Sequence, residues 1–278
     1  MAEYKMIVPM IIGLAAVAAA IAVVWGRIRR RRRLASLPLP EPWREIVMNN
    51  VGIYAHLPPE LQRKLEGKIN IFLSEKTFEG CGGQEINDEI RVTVAAQACV
   101  LLLNTPTEQC YPSLHHLLIY PGSYVTTEPR QVGEHVMDDD DDVLDGSSCE
   151  FGTMTLGWEQ VCGEGQHYGG GANVVFHECA HHLDYENGLS EGIPALPRPE
   201  TAENFSRIFQ RAYERFRKAT LQGRPDVLDE YGAESPSEFF AVATETFFDS
   251  PRELRTRHPD LYSIFKDYYG LDPSTWTE

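Results

Sequence analysis

The chain has 278 residues, 42% of them hydrophobic, and a formal net charge of −16 at pH 7. This length and composition are typical of one large folded domain and exclude a disordered chain. Residues 1–34 hold seven basic side chains and one acidic one, so residues 35–278 carry a net charge of −22. Such an acidic body argues against direct nucleic-acid binding, which requires a basic surface.

The first predicted element is a transmembrane helix. Residues 7–25 are almost all apolar, and a helix of that length, at about 1.5 Å per residue, nearly spans a bilayer core of about 30 Å. Trp25 lies where an interfacial aromatic residue is expected, and the arginines Arg27 and 29–33 follow it. A cleaved signal peptide would carry its charge before the apolar run. The positive-inside rule therefore predicts a single-pass protein of the cytoplasmic membrane, with the N-terminus outside and the body in the cytoplasm.

Two units follow from this pattern: a membrane anchor with a basic flank over residues 1–34, and one domain over residues 35–278. Prolines at every second position in residues 37–42 predict a short stiff linker between them. No internal repeat divides the body further.

The body is predicted to be α+β, mostly helical with a small sheet. Besides the helix that follows Asn173, helical spacing of apolar residues indicates five helices, and short apolar runs next to turn residues indicate two strands. Glycine-rich segments predict a loop at residues 79–83 and a mobile flap at residues 163–171. The five aspartates of residues 138–142 are read as a solvated loop. The predicted helices are residues 58–76, 90–103, 202–220, 236–248 and 261–269, and the predicted strands are residues 117–120 and 153–158.

The six cysteines contain no C-x-x-C pair, so a zinc knuckle is not expected. In a cytoplasmic body they should be free thiols. Cys179 is expected to behave as a small buried hydrophobic residue.

The clearest chemical motif is His-Glu-x-x-His, formed by His177, Glu178 and His181. Asn173 is predicted to be the N-cap of the helix that contains this motif. Two histidines four residues apart lie on one face of a helix, where they can bind one Zn²⁺, and the adjacent glutamate can act as general base. The alternative is a helix with two partly exposed histidines. The apolar flanks argue against that alternative, because burying these side chains without a partner is costly.

Asp184 lies on the same helical face as both histidines. Its carboxylate could accept the second ring N–H of a metal-bound histidine, or it could simply face water.

A catalytic zinc site usually takes three protein ligands, so a third must come from elsewhere. The candidates are Glu234, Glu238 and Glu245, in and just before the predicted helix 236–248. Glu238 also fits a capping box with Ser235. Spacing alone does not choose among the three glutamates.

Several separated motifs make the chain resemble the MtfA-type zinc peptidases from about residue 42 to residue 265. These motifs are FLSEKTFEG at residues 72–80, VAAQAC at 94–99, LGWEQV at 156–161, NVVFHECAH at 173–181 with Leu183 and Asp184, and YGAESPSEFFAV at 231–242.

The resemblance implies a zincin-type catalytic core, similar to the metalloprotease domain of anthrax lethal factor. It implies zinc bound by His177, His181 and Glu238, with Glu178 as general base and Tyr231 as oxyanion stabiliser. The implied activity is peptidase, including aminopeptidase, on a peptide or protein substrate. A zinc hydrolase that acts on other amides would use the same residues.

The chain departs from this family in Cys179, in the aspartate run and in its N-terminal anchor. Family members are named for sequestering a repressor of sugar uptake. The alternative function is therefore a membrane-tethered regulatory protein that binds a transcriptional regulator, with zinc purely structural. A structural zinc site would have a fourth protein ligand.

Overall fold

A computed structural model describes residues 2–105, 109–122, 124–125, 143–144, 146–149, 152–186, 188, 191–196 and 198–276. For residues 2–12, for residue 14 and for the short strands between residues 124 and 149, only the backbone is described. The predicted aspartate loop at residues 138–142 lies outside the described residues.

The described residues are mostly helical, and several helices begin at a proline, whose fixed φ suits the first helical turn. Short 3₁₀ helices cover Gly52–His56, Glu230–Ala233 and Pro273–Thr275. The α-helices are α1 (Ala2–Ala35), α2 (Glu41–Asn50), α3 (Pro59–Glu75), α4 (Asp88–Val100), α5 (Trp158–Gln166), α6 (Val174–Tyr185), α7 (Pro199–Thr220), α8 (Pro236–Asp249), α9 (Pro251–Arg257) and α10 (Pro259–Tyr269).

The strands form a small mixed sheet and one separate ribbon. The sheet has the order β1-β2-β6-β5; its first three strands are parallel, and β5 pairs antiparallel with β6. In its register Leu117 pairs with both Phe78 and Met154. The other two strands, β3 and β4, pair antiparallel with each other. The strands are β1 (Thr77–Gly80), β2 (His116–Tyr120), β3 (Tyr124–Val125), β4 (Val143–Leu144), β5 (Gly146–Cys149) and β6 (Thr153–Gly157).

The core is built around α4 and α8. In α4 every residue from Ile90 to Val100 except Arg91 is buried, as its all-round apolar sequence predicts. Helix α8 is buried from Phe239 to Asp249 and packs against α6, α7 and α10. Its phenylalanines make ring contacts with Phe209 of α7 and Phe265 of α10. Because dense packing resists displacement, α8 is held firmly in its position against α6.

All five predicted helices and both predicted strands are present, with bounds shifted by a few residues, so the α+β class is confirmed. Two loop predictions were wrong in part. Residues 163–166 are the last turn of α5, and Thr77–Gly80 is a sheet strand. A Cβ on Gly165 would lie 2.2 Å from Nε2 of Gln97. That glycine therefore permits close packing of α5 on α4 and does not mark a flexible loop.

The N-terminal helix α1 extends beyond the predicted span of residues 7–25. Over the part of the chain that the structure describes, no helix is both long and apolar enough to cross a membrane. The transmembrane helix and the division at residue 34 stay predictions.

The end of α1 and the proline-rich segment after it are bound to α3. Arg31 forms an ion pair with Glu75 at 2.7 Å. Asn70 donates from its side chain to the carbonyl oxygen of Leu37 at 2.8 Å. Leu39 is buried, and its backbone N–H donates to Glu66. The predicted linker is therefore packed against the body.

Candidate metal centre

Helix α6 begins where the sequence predicts. The side-chain oxygen of Asn173 accepts the backbone N–H of Phe176 at 2.9 Å, and Asn173 itself has extended backbone angles. Such an N-cap contributes about 1 kcal/mol to helix stability. Glu164 adds a second cap by accepting the N–H of Val174 at 2.6 Å. The cap fixes His177 in the first turn of α6 and His181 one turn later on the same face.

Helix α8 supplies the acidic side chain opposite these histidines. Ser235 caps the helix by accepting the N–H of Glu238 at 3.1 Å. The Glu238 side chain points to α6, and its Oε2 lies 3.0 Å from Nε2 of His177 and 3.2 Å from Nε2 of His181. Glu234 is exposed to solvent. Of the three glutamates left open by spacing, the structure places Glu238 beside both Nε2 atoms.

Glu245 has a different place, behind His177. Its Oε1 lies 2.7 Å from Nδ1 of His177, and its Oε2 accepts the backbone N–H of Asn173 at 2.8 Å. A carboxylate in this position accepts the Nδ1 proton and leaves the lone pair of Nε2 free.

His181 is oriented through a serine that the sequence did not point out. Its Nδ1 lies 3.1 Å from Oγ of Ser237. That hydroxyl donates to Oδ2 of Asp184 at 3.0 Å, and the same oxygen accepts the N–H of Gly192 at 2.9 Å. Of the two alternatives left open for Asp184, a carboxylate facing water is excluded because the residue is fully buried, and the contact with His181 runs through Ser237, which lies between them. A serine next to a glutamate carries no pattern that would have revealed this.

The atoms of His177, His181 and Glu238 that could bind a metal ion all lie within 4.8 Å of one another. The two Nε2 atoms are 3.1 Å apart and face the Glu238 carboxylate. Two imidazoles with free Nε2 lone pairs and one carboxylate are the usual protein ligands of a catalytic divalent metal. The residues present therefore fit such an ion.

Electrostatics within this cluster favour a cation. Burial would raise the pKa of Glu238, but hydrogen bonds and charge interactions with His177 and His181 outweigh it and hold that pKa well below its usual range. Burial would lower the pKa of His177, but Glu238 and Glu245 outweigh it and raise that pKa to about 10. The carboxylates thus stabilise positive charge at this point.

Glu178 lies beside the cluster and is almost fully buried, with 3% of its surface exposed. Its Oε2 has no hydrogen-bond partner among the residues that the structure describes. Burial raises its pKa to about 7; His181 and His177 oppose that rise, while Glu238 and Glu245 reinforce it. A buried carboxylate oxygen without a partner costs stability, which points to a chemical role.

Tyr231 lies in the 3₁₀ helix just before α8 and is 41% exposed. Its ring centroid is 5.9 Å from that of His177. The structure thus brings all five predicted site residues together. Their roles stay predictions.

The glycine-rich segment before α6 is held by a third acidic residue of α8. Asp249 accepts the backbone N–H groups of Gly169, at 2.9 Å, and of Gly171. Tyr168 stacks on His56 with a centroid distance of 4.4 Å. These contacts hold in place the residues that lead into α6.

None of the five cysteines whose side chains are described belongs to the cluster. Cys179 is fully buried, as predicted. The free thiols are Cys81, Cys99, Cys110, Cys162 and Cys179. The side chain of Cys149 is not among those that the structure describes.

Comparisons with known proteins show sequence similarity over most of the chain. Residues 25–270 match the protein family described as glucose-regulated metallo-peptidase M90. The uncharacterized protein slr2042 of Synechocystis sp. is 36% identical over 258 residues, which cover 91% of this chain and 94% of that protein. Mlc titration factor A of Klebsiella pneumoniae is 29% identical over 243 residues, covering 84% and 86% of the two chains. The same factor of Escherichia fergusonii is 29% identical over 235 residues, with the same coverage.

Proposed function

Because the chain belongs to the glucose-regulated metallo-peptidase M90 family, we propose that it is a zinc-dependent peptidase. His177, His181 and Glu238 would hold the ion, and Glu178 would be the general base. The observation that carries this proposal is the convergence of two Nε2 atoms and a Glu238 oxygen beside the buried Glu178, whose Oε2 has no partner among the described residues. Aminopeptidase activity is a narrower proposal that rests on the family resemblance.

When bound, a divalent ion would polarise the scissile carbonyl and lower the pKa of the attacking water. The protein's own residues supply the proton transfers. A buried carboxylate beside the cluster can take a proton and release it again. Glu178 would accept the proton of the attacking water and then pass it to the leaving amine.

Tyr231 is the proposed oxyanion stabiliser. Its exposure and its position beside His177 put a phenol at the open side of the cluster. A phenolic O–H there can donate to an oxyanion that develops on the substrate.

A peptide-library cleavage assay tests this function. Peptides with free and with blocked N-termini are incubated with the full-length protein, with and without a zinc chelator. Chelator-sensitive cleavage supports the peptidase, and cleavage of free N-termini alone supports the aminopeptidase. Absence of cleavage by the zinc-loaded protein across the library would overturn the proposal.

The second candidate is a regulatory protein that binds a transcriptional repressor through its surface. It is favoured by the name Mlc titration factor A carried by two of the relatives. In that case the metal would be structural and would have four protein ligands. Three candidate ligands cluster within the described part of the chain, which supports the enzyme. Repressor binding by the zinc-loaded protein, without cleavage of any peptide, would support the regulator.

We also propose that α1 anchors the protein in the cytoplasmic membrane. Support comes from residues 15–30 of α1, which are all exposed, although they include Ile21, Val24 and Trp25. Large apolar side chains exposed together are costly in water and suit a lipid environment. The arginines that follow would lie at the cytoplasmic lipid headgroups.

A further inference from the structure

The two histidines of the cluster are held by different chemical groups. Glu245 contacts Nδ1 of His177 directly, whereas Ser237 stands between His181 and Asp184. We call the two residues that follow His181 in this chain of contacts, Ser237 and Asp184, the His181 relay.

The direction of the protons in the relay follows from the contacts. Oδ2 of Asp184 receives the N–H of Gly192, so this oxygen is an acceptor. The hydroxyl of Ser237 has one proton, and it donates that proton to the same oxygen. The hydroxyl oxygen then has only lone pairs to offer to Nδ1 of His181, which must carry the ring proton. The lone pair of Nε2 is thereby directed to the metal cluster.

We propose that Ser237 is the positioning residue for His181 and that Asp184 orients its hydroxyl. This inference rests on the proposed metal site. It assigns Ser237 no contact with substrate: the hydroxyl selects the ring tautomer and fixes the rotation of the ring, as outer hydrogen bonds do for metal-bound histidines.

The relay is itself fixed in place by a glycine. Gly192 has a φ of +72°, and a Cβ there would lie 2.3 Å from the carbonyl oxygen of Pro236 and 2.7 Å from the Phe209 ring. Only glycine allows this backbone to approach both α7 and α8. Its N–H can then reach Asp184, which is fully buried. The relay thus connects α6, the start of α8 and the segment before α7.

The two outer contacts should differ in strength. A hydroxyl is a weaker hydrogen-bond acceptor than a carboxylate. His181 is therefore the less firmly held of the two rings, and the hydroxyl of Ser237 is the group on which its orientation depends.

The test compares Ser237→Thr with Ser237→Val, because these side chains share a shape and differ in the hydroxyl. Ser237→Ala and the exposed Ser263→Ala of α10 complete the set. Zn²⁺ dissociation constants are measured by competition with a chromophoric chelator, and the visible spectrum of the Co²⁺-loaded protein reports the ligand geometry. Thermal unfolding checks that each variant is folded.

Ser237→Val and Ser237→Ala should bind Zn²⁺ about tenfold more weakly and show an altered Co²⁺ spectrum. Ser237→Thr and Ser263→Ala should match the wild type. Unchanged affinity and spectrum in folded Ser237→Val would overturn the inference. Failure of the wild type to bind Zn²⁺ would instead remove the proposed metal site. Weaker binding in Ser237→Val without any peptidase activity in the wild type would keep the relay and reject the peptidase.

Discussion

Nδ1 of His177 and Oε1 of Glu245 are 2.7 Å apart, across the boundary between α6 and α8. The same carboxylate accepts the N–H of Asn173, the residue that caps α6. Glu245 therefore couples the start of α6 to the orientation of its first histidine, although it is remote in sequence from both.

Replacing Glu245 with Gln should weaken Zn²⁺ binding by about 10- to 100-fold, because loss of an outer carboxylate lowers metal affinity by that factor. Competition with a chelator measures the dissociation constant. The control is Glu253→Gln, at an exposed glutamate of α9. An unchanged constant in Glu245→Gln would show that His177 does not depend on this contact.

Glu238→Ala should remove most bound zinc, because it deletes one of three ligand atoms in the cluster. Elemental analysis of the purified protein gives the zinc content. Glu234→Ala, four residues earlier at an exposed site, should retain full zinc. Equal zinc in both variants would mean that another residue supplies the third ligand.

Glu178→Gln should keep zinc and lose peptide hydrolysis by at least about 100-fold, since general-base catalysis contributes about 10²–10⁴-fold. The same change removes a buried negative charge at a side chain whose Oε2 has no partner among the described residues, so the melting temperature should rise. Zinc content, peptide cleavage and thermal unfolding are measured on one preparation. Full cleavage activity in the variant would exclude Glu178 as the base.

Acid should destabilise the protein partly through Asp272. Burial would raise its pKa, but hydrogen bonds from Lys266, Tyr262 and Ser274 outweigh burial and lower it to about 2. Because this pKa is lower in the folded state than in the unfolded state, the contribution is complete above about pH 4 and is lost as pH falls to 2.

Urea unfolding between pH 2 and pH 7 measures this contribution. Asp272→Asn should be less stable than the wild type above about pH 4, and the difference should shrink toward pH 2. Asp260→Asn, at an exposed aspartate of α10, should show a much smaller difference. A difference for Asp272→Asn that does not change with pH would contradict the assignment.

Deleting residues 2–24 should release the protein from membranes and leave zinc binding intact. The deletion removes most of the exposed apolar part of α1 but keeps Arg31, which pairs with Glu75 on the body. Membrane and soluble fractions of cells that express each form are compared by immunoblot. Full-length protein in the soluble fraction would reject the anchor.

Local features of the site could be predicted from sequence. The Asn173 cap, the spacing of His177 and His181, and the Ser235 cap each depend on a few neighbouring residues. The choice of Glu238 could not be made from spacing, because it depends on how α8 packs against α6. The family resemblance implied Glu238, and the structure places it at the cluster.

Features set by distant contacts were missed. The hydroxyl of Ser237 is oriented beside His181 by Asp184, whose carboxylate also accepts the N–H of Gly192. The predicted flap was partly wrong because Gly165 packs against Gln97, which is far away in sequence. Such glycines look like turn residues until the neighbouring helix is known.

Helix α8 also sets a strict limit on insertions and deletions. Glu238, Glu245 and Asp249 share one helix and serve the cluster, His177 and the glycines before α6. Each residue added to or removed from a helix turns everything beyond it by about 100°. A single-residue deletion between Glu238 and Asp249 would misalign these contacts together, whereas many substitutions on the same stretch would spare them. The number of residues between the three acids is therefore fixed, whereas the identity of the residues between them can vary.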